Sequence, residues 1–242
     1  MHLPSSVGLQ KTSLADYPGK VASVLFFPGC NLRCSYCHNP DLVLGRTEGF
    51  VRRDEVINFL KNRASLLGGV VISGGEPLLY KDLKLFMKEI QTSCHLPVKI
   101  DTNGLLSDRL QDLIQSDSPP DFIAMDIKTS LSSYDRFAVF QKDQSNIQDS
   151  IKMIIQSGIP SQFRTTVHPD FIDVSMIDEI SGMIRGCTSY VLNSFQPGNC
   201  LDTAYNAHNP TDTMLLRELY KGFLEQGIPC SCVSLEYGSN SF

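Results

Sequence analysis

No stretch of this sequence approaches the ~18 consecutive apolar residues that a membrane-spanning helix needs; the longest relevant run, residues 21–27, is strand-sized. The opening Met1-His2-Leu3-Pro4 and the polar residues behind it lack the charged and apolar segments of a secretory signal. A basic excess is missing as well: 21 lysines and arginines stand against 26 aspartates and glutamates, a net charge of −5. Polynucleotide binders draw much of their affinity from phosphate neutralisation, and the longest basic cluster here is Arg52-Arg53. No nucleic-acid partner is expected, although nucleotide-sized ligands stay open. Repeats, low-complexity tracts and linkers are absent, and so is tryptophan. What is there is a 242-residue chain, 42% hydrophobic and 19% charged, able to bury a real core. The expected form is one soluble, cytoplasmic domain: a lead-in over 1–19, a core over 20–228 and a short C-terminal tail.

Eight cysteines in such a chain do not read as four disulfides, because the cytosol keeps thiols reduced. Their distribution matters more than their number. Cys94, Cys187 and Cys200 are scattered, and Cys230 and Cys232 form a late C-x-C pair without a third ligand nearby, best read as part of the fold. Cys30, Cys34 and Cys37 crowd into one segment.

Short apolar runs alternate with helical stretches along the chain. Strands are expected at 21–27, 70–72, 98–101, 122–127, 163–167 and 190–195, with a short one at 229–233. Between them the apolar spacing predicts helices over 53–66, 80–92, 107–116, 147–157, 174–185 and 211–225, and a turn of helix near Tyr134. Strands apolar on both faces, each followed by a helix, imply a parallel sheet covered by helices. Six such units with right-handed crossovers suggest α/β architecture in the form of a partial (β/α)6 TIM-like barrel.

The candidate chemistry falls at strand ends. After the first strand comes Cys30-Asn31-Leu32-Arg33-Cys34-Ser35-Tyr36-Cys37, a C-x3-C-x2-C arrangement. Three thiolates on one loop suit zinc or an iron–sulfur centre. Structural zinc wants four protein ligands, and no second C-x2-C pair exists; a cubic cluster on three cysteines leaves one iron with an open position. After the second strand comes Ser73-Gly74-Gly75-Glu76-Pro77, which reads as a turn or as a backbone cradle for a small zwitterion. Asp101-Thr102-Asn103-Gly104 follows the third, where an Asn-Gly turn is the plain reading. Asp126-Ile127-Lys128 follows the fourth, as an ion pair or a ligand contact. Arg164, inside an otherwise apolar strand, needs a carboxylate partner. His168 ends that strand, and Gln196-Pro197-Gly198-Asn199 caps the sixth. Active sites of parallel α/β barrels are built at the C-terminal ends of their strands.

The cysteine spacing, with aromatic Tyr36 before the last thiol, resembles the fingerprint of the radical S-adenosylmethionine (SAM) superfamily. Gly8-Leu9-Gln10-Lys11-Thr12-Ser13, Asp16-Tyr17-Pro18-Gly19 and Tyr36-Cys37-His38-Asn39-Pro40-Asp41 narrow the resemblance to the glycyl-radical-enzyme activases. Within these, most of the chain resembles the activators of anaerobic ribonucleoside-triphosphate reductase. Activators of pyruvate formate-lyase or another glycyl radical enzyme are the alternative, and a non-catalytic iron–sulfur or metal-binding protein a remote one.

The resemblance implies an oxidoreductase in which one 4Fe–4S cluster, on Cys30, Cys34 and Cys37, binds SAM at its open iron. Reductive cleavage of SAM then releases methionine and a 5′-deoxyadenosyl radical that takes a hydrogen atom from a glycine Cα of a large partner enzyme. Implied SAM contacts are Tyr36, Gly74, Gly75, Glu76, Asp126, Lys128, Arg164 and His168. A monovalent cation is implied at Asp101, Thr102 and Asp126, and Asp16 is implied to meet the partner's glycine loop. A flavodoxin- or ferredoxin-like protein is the implied reductant. Many related activases carry further cysteine clusters after the first; between Cys37 and Gly74 this chain has no cysteine, so a single cluster is expected.

Overall fold

A computed structural model describes residues 1–137 and 143–232. These form two compact units. The first contains residues 1–32, 39–102 and 106–123; the second contains 33–38, 103–105 and the described residues from 124 to 232.

In the first unit β1 (Ser6–Ser13) and β2 (Ala22–Phe27) are followed by a short helix α1 (Pro40–Val43), β3 (Val51–Arg52) and α2 (Arg53–Arg63). Then come β4 (Gly69–Gly74), α3 (Leu83–Ser93), β5 (Val98–Thr102), α4 (Ser107–Ile114) and the start of β6 (Phe122–Asp126). The strand order is β3-β1-β2-β4-β5. β2, β4 and β5 are parallel, with Leu25 beside Ile72 and Ile72 beside Ile100. Asp121 N–H donates to Val98 O, which sets β6 beside β5. These strands are apolar and buried along most of their length, as parallel strands covered on both faces must be. Helix α3 buries Leu83, Phe86, Met87 and Ile90, spaced i, i+3, i+4, i+7, and leaves Leu85 exposed. Tyr17 closes the bottom of this core against Ala22, Val24 and Val71. Its ring lies so close to Gly69 that a Cβ there would come within 2.8 Å of it.

The second unit continues β6 and adds α5 (Asp143–Ser157), β7 (Ser161–Val167), α6 (Ile177–Met183), β8 (Tyr190–Ser194), α7 (Thr213–Glu225) and β9 (Cys230–Cys232). β7, β8 and β9 are parallel neighbours, with Thr165 beside Leu192 and Leu192 beside Cys232. Ile127 N–H donates to Arg164 O and sets the end of β6 beside β7. Helix α7 buries Leu216, Leu219 and Phe223 and starts where the Asp212 carboxylate accepts the Met214 N–H.

The predicted strand–helix order stands, with boundaries shifted by local chemistry. The helix expected from residue 80 begins at Leu83, because a separate 3₁₀ turn, Pro77–Leu79, precedes it. That expected over 174–185 is a 3₁₀ turn, Val174–Met176, capped by Asp173, and then the short α6. Of the strand expected at 229–233, Val233 lies outside the described residues. An all-parallel sheet is corrected: β1 runs antiparallel to β2 and β3 antiparallel to β1. β1 escapes the sequence pattern because polar, exposed Gln10, Lys11 and Thr12 interrupt its period, next to a register shift between Gln10 and Ser13.

Candidate functional site

In the first unit the expected site residues sit at the C-terminal ends of β2, β4 and β5. Cys30 follows β2 across Pro28-Gly29, and the Leu32 N–H lies 3.4 Å from its Sγ. The Gly74-Gly75 pair packs against that same stretch. Gly75 N–H donates to Phe27 O and Glu76 N–H to Gly29 O, at 2.9 and 2.8 Å. A Cβ on Gly74, whose φ is +122°, would lie 2.3 Å from Phe27 N. The paired glycines therefore let two backbones meet beside Cys30. Glu76 is fully buried; its Oε1 accepts the Leu78 N–H and the Thr102 hydroxyl, the latter at 2.9 Å. Asp101 accepts Ser73 Oγ at 3.0 Å on one oxygen and the Lys99 ammonium on the other. Lys99, only 1% exposed, was not legible as a site residue because the apolar pattern around it reads as plain strand.

Asp16 stands apart, in the loop after β1. It accepts the Ser13 hydroxyl, which also receives the Ala15 and Asp16 N–H groups. Buried Tyr17 anchors the loop, while Pro18 and Gly19 are exposed.

The second unit holds the loop segment of Cys34, Tyr36 and Cys37 together with the ends of β6, β7 and β8. Asp126 accepts Lys128 Nζ at 3.0 Å and Arg164 Nε at 2.9 Å. Burial alone would raise the Asp126 carboxyl, but the two cations outweigh it and hold the group well below the usual carboxylate range. Lys128 shows the converse: burial opposes its charge, yet Asp126, with Tyr36 and Cys34 also in range, raises it well above an ordinary lysine. Burial pushes the Tyr36 phenol far up, so it stays protonated. Its hydroxyl is buried and has no hydrogen-bond partner among the described residues. Tyr36 lies in an aromatic wall with Phe137, Phe171, Phe195 and His168, the last stacked at 6.4 Å.

Two contributions escaped the sequence reading. The segment after β8 clamps the cysteine loop: Leu201 N–H donates to Cys37 O and Asp202 N–H to Ser35 O, both at 2.9 Å. His208 meets His168, ring nitrogen to ring nitrogen, at 2.9 Å. Backbone donors carry no residue-type signature, and a pair 40 residues apart in sequence has no spacing to read.

The described helices include none long and apolar enough to cross a membrane. A family model, the radical SAM superfamily, matches residues 24–180. The chain belongs to that superfamily. A provisionally named glycyl-radical enzyme activating enzyme of Methanocaldococcus jannaschii is 31% identical over 220 residues, covering 88% of this chain and 89% of its own. The pyruvate formate-lyase-activating enzyme of Clostridium pasteurianum is 28% identical, over 68% of this chain and 69% of its own. Among solved structures, Streptococcus suis SuiB bound to S-adenosylmethionine aligns with TM-score 0.62 at 16% identity. That alignment covers 86% of this chain, which spans about half, 51%, of SuiB. Archaeal TYW1 aligns at 0.55 and 14% identity, over 85% of this chain and 72% of its own. These likenesses show the fold, a mostly parallel α/β arrangement of the radical SAM kind. The chain is an enzyme of the glycyl-radical-activating type.

The residues of this radical SAM enzyme fit the two groups its superfamily implies. Three thiols within eight residues are the soft donors an iron–sulfur cluster takes. The orphaned Tyr36 hydroxyl is a buried polar atom of the kind a ligand satisfies, and Lys128 and Arg164 present two cations suited to a carboxylate. The implied monovalent cation does not fit. Asp101 is neutralised by Lys99, the Thr102 hydroxyl is turned toward Glu76, and Asp126, in the other unit, already faces two cations.

Proposed function

We propose that this radical SAM enzyme activates anaerobic ribonucleoside-triphosphate reductase by placing a radical on a glycine of that partner. Cys30, Cys34 and Cys37 would hold one 4Fe–4S cluster. When bound, the reduced cluster would supply one electron to the sulfonium of SAM, whose cleavage gives methionine and a 5′-deoxyadenosyl radical able to take a hydrogen atom from the glycine Cα. The protein's own part is binding, orientation and exclusion of water.

The observation that carries this reading is the charge arrangement at the ends of β6 and β7. Asp126 holds Lys128 and Arg164 in place, two cations for the methionine carboxylate. Lys128 also lies within electrostatic range of Cys34. Tyr36 offers its unpartnered hydroxyl to the ligand, and His168 stacks beside its ring. Gly74, Gly75 and Glu76 act by fixing the backbone before Cys30 and by presenting the end of β4. The loop of half-buried Asp16 and exposed Pro18 and Gly19, anchored through Tyr17, is offered to the partner's glycine loop. A cytoplasmic flavodoxin- or ferredoxin-like protein would deliver the electron.

The choice of partner rests on the resemblance of most of the chain to the activators of anaerobic ribonucleoside-triphosphate reductase. A second reading, activation of pyruvate formate-lyase, is favoured by the similarity to the Clostridium pasteurianum enzyme. Anaerobic reconstitution with iron and sulfide, reduction, and assay for 5′-deoxyadenosine tests the chemistry; no cleavage of SAM sinks it. Mixing the loaded enzyme with each candidate partner and recording the glycyl-radical spectrum tests the choice. A radical on pyruvate formate-lyase alone selects the second reading.

A further inference from the structure

We propose that Lys99 supplies from its own side chain the positive charge for which the family resemblance calls a monovalent cation, so that the enzyme takes neither sodium nor potassium at Asp101. Lys99 and Asp101 stand two residues apart on β5 and so share a face of the strand. The ammonium is buried and bonds to one oxygen of Asp101, while Ser73 Oγ, from the adjacent strand β4, donates to the other at 3.0 Å. Lysine plus carboxylate is a neutral pair. A Group 1 ion arriving at that carboxylate would stand beside an ammonium of its own sign in a poorly screened setting. In the second unit the same device recurs: Asp126 is followed two residues later by Lys128, whose Nζ is 3.0 Å away. Each carboxylate thus carries a tethered cation. Buried charges persist when paired and hydrogen-bonded, and a lysine ammonium is a compact point charge able to stand in for a small cation. Lys99 is therefore a positioning residue, which holds Asp101 and through it the end of β5.

The proposal deepens the activase reading, but its test needs neither cluster nor partner, so the two can fail separately. The full chain is exchanged into tetramethylammonium buffer, and binding of radioactive rubidium is followed by equilibrium dialysis. Wild type is expected to bind no stoichiometric rubidium, whereas Lys99→Met, whose part-buried Asp101 carboxylate has lost that ammonium, gains one saturable site that potassium displaces. Stoichiometric binding by wild type that Asp101→Asn abolishes would overturn the proposal, as would a folded Lys99→Met that binds none. If Lys99→Met does not fold, wild type decides through SAM affinity of the reconstituted enzyme. Affinity constant to within about twofold between potassium and tetramethylammonium chloride supports the tethered charge. A larger fall without potassium refutes it.

Discussion

Gly75 lies so close to Gly29 that a Cβ added to it would be 1.9 Å from the Gly29 carbonyl oxygen. The contact is reinforced by Glu76 N–H donating to that same oxygen. Because Gly29 immediately precedes Cys30, the end of β4 sets the path of the chain into the first thiol. The glycine pair, read from sequence as a ligand cradle or a turn, is in this structure first a backbone-to-backbone joint.

Gly75→Ala is accordingly expected to displace residues 28–30, at a cost of ~3 kcal/mol or more, the upper end of overpacking penalties. Thermal unfolding and iron content after reconstitution would both fall. Gly198→Ala is the control: a Cβ there meets nothing within 4 Å, and stability should be unchanged. Equal behaviour of the two variants would deny the joint its role.

The cysteines should divide into two classes. Alanine at Cys30, Cys34 or Cys37 is expected to abolish both the brown cluster and SAM cleavage. Alanine at Cys187 or Cys230 should keep both and change stability by about 1 kcal/mol, a usual size for a point substitution. Burial pushes the Cys187 thiol up to about 11 and Cys230 to about 12, which marks them as neutral interior groups. Retained cleavage in Cys34→Ala would refute the ligand set.

Much of this was legible from residue types because parallel strands and amphipathic helices carry strong apolar periods. Val70, Val71 and Ile72 announce β4, and Leu216, Leu219 and Phe223 announce α7. β1 was not legible, since polar Gln10, Lys11 and Thr12 break its alternation and its pairing with β2 depends on long-range register. At the site, Cys34, Cys37, Asp126 and Lys128 stood out through spacing or charge. Arg164 stood out by being polar in an apolar strand, and its partner proved to be Asp126. Lys99 differs in that its apolar neighbours masked it, and the clamp from Leu201 and Asp202 uses backbone N–H groups that every residue but proline has.

That clamp yields a prediction of its own. Leu201→Pro removes the N–H that donates to Cys37 O and leaves the carbonyl without that bond, a loss of roughly 0.5–1.5 kcal/mol, the net worth of one hydrogen bond. The cysteine loop should loosen, so chelator would strip iron from the reconstituted variant several-fold faster, while a conservative Leu201→Met behaves as wild type. Identical stripping rates for all three proteins would show that the segment after β8 does not hold the loop.

The charge trio at Asp126 should be insensitive to pH where His168 is not. Asp126 is held well below the ordinary carboxylate range despite its burial. A depressed folded-state pKa gives stability that is complete above the unfolded value, ~3.9, and decays only as pH falls beneath it. His168 titrates higher. Burial lowers its pKa, Asp170 opposes the shift and His208 adds to it. The unfolded chain then takes up a proton near pH ~6.5 while the folded imidazole is still neutral, so His168 removes stability as pH falls through that value toward the lower folded pKa. Unfolding temperatures at neutral and mildly acidic pH, for wild type and His168→Gln, read this directly. Wild type should lose more stability on acidification than the variant, because glutamine has no proton to take up. Parallel losses in both proteins would assign the acid sensitivity to other groups and leave His168 with a packing role alone.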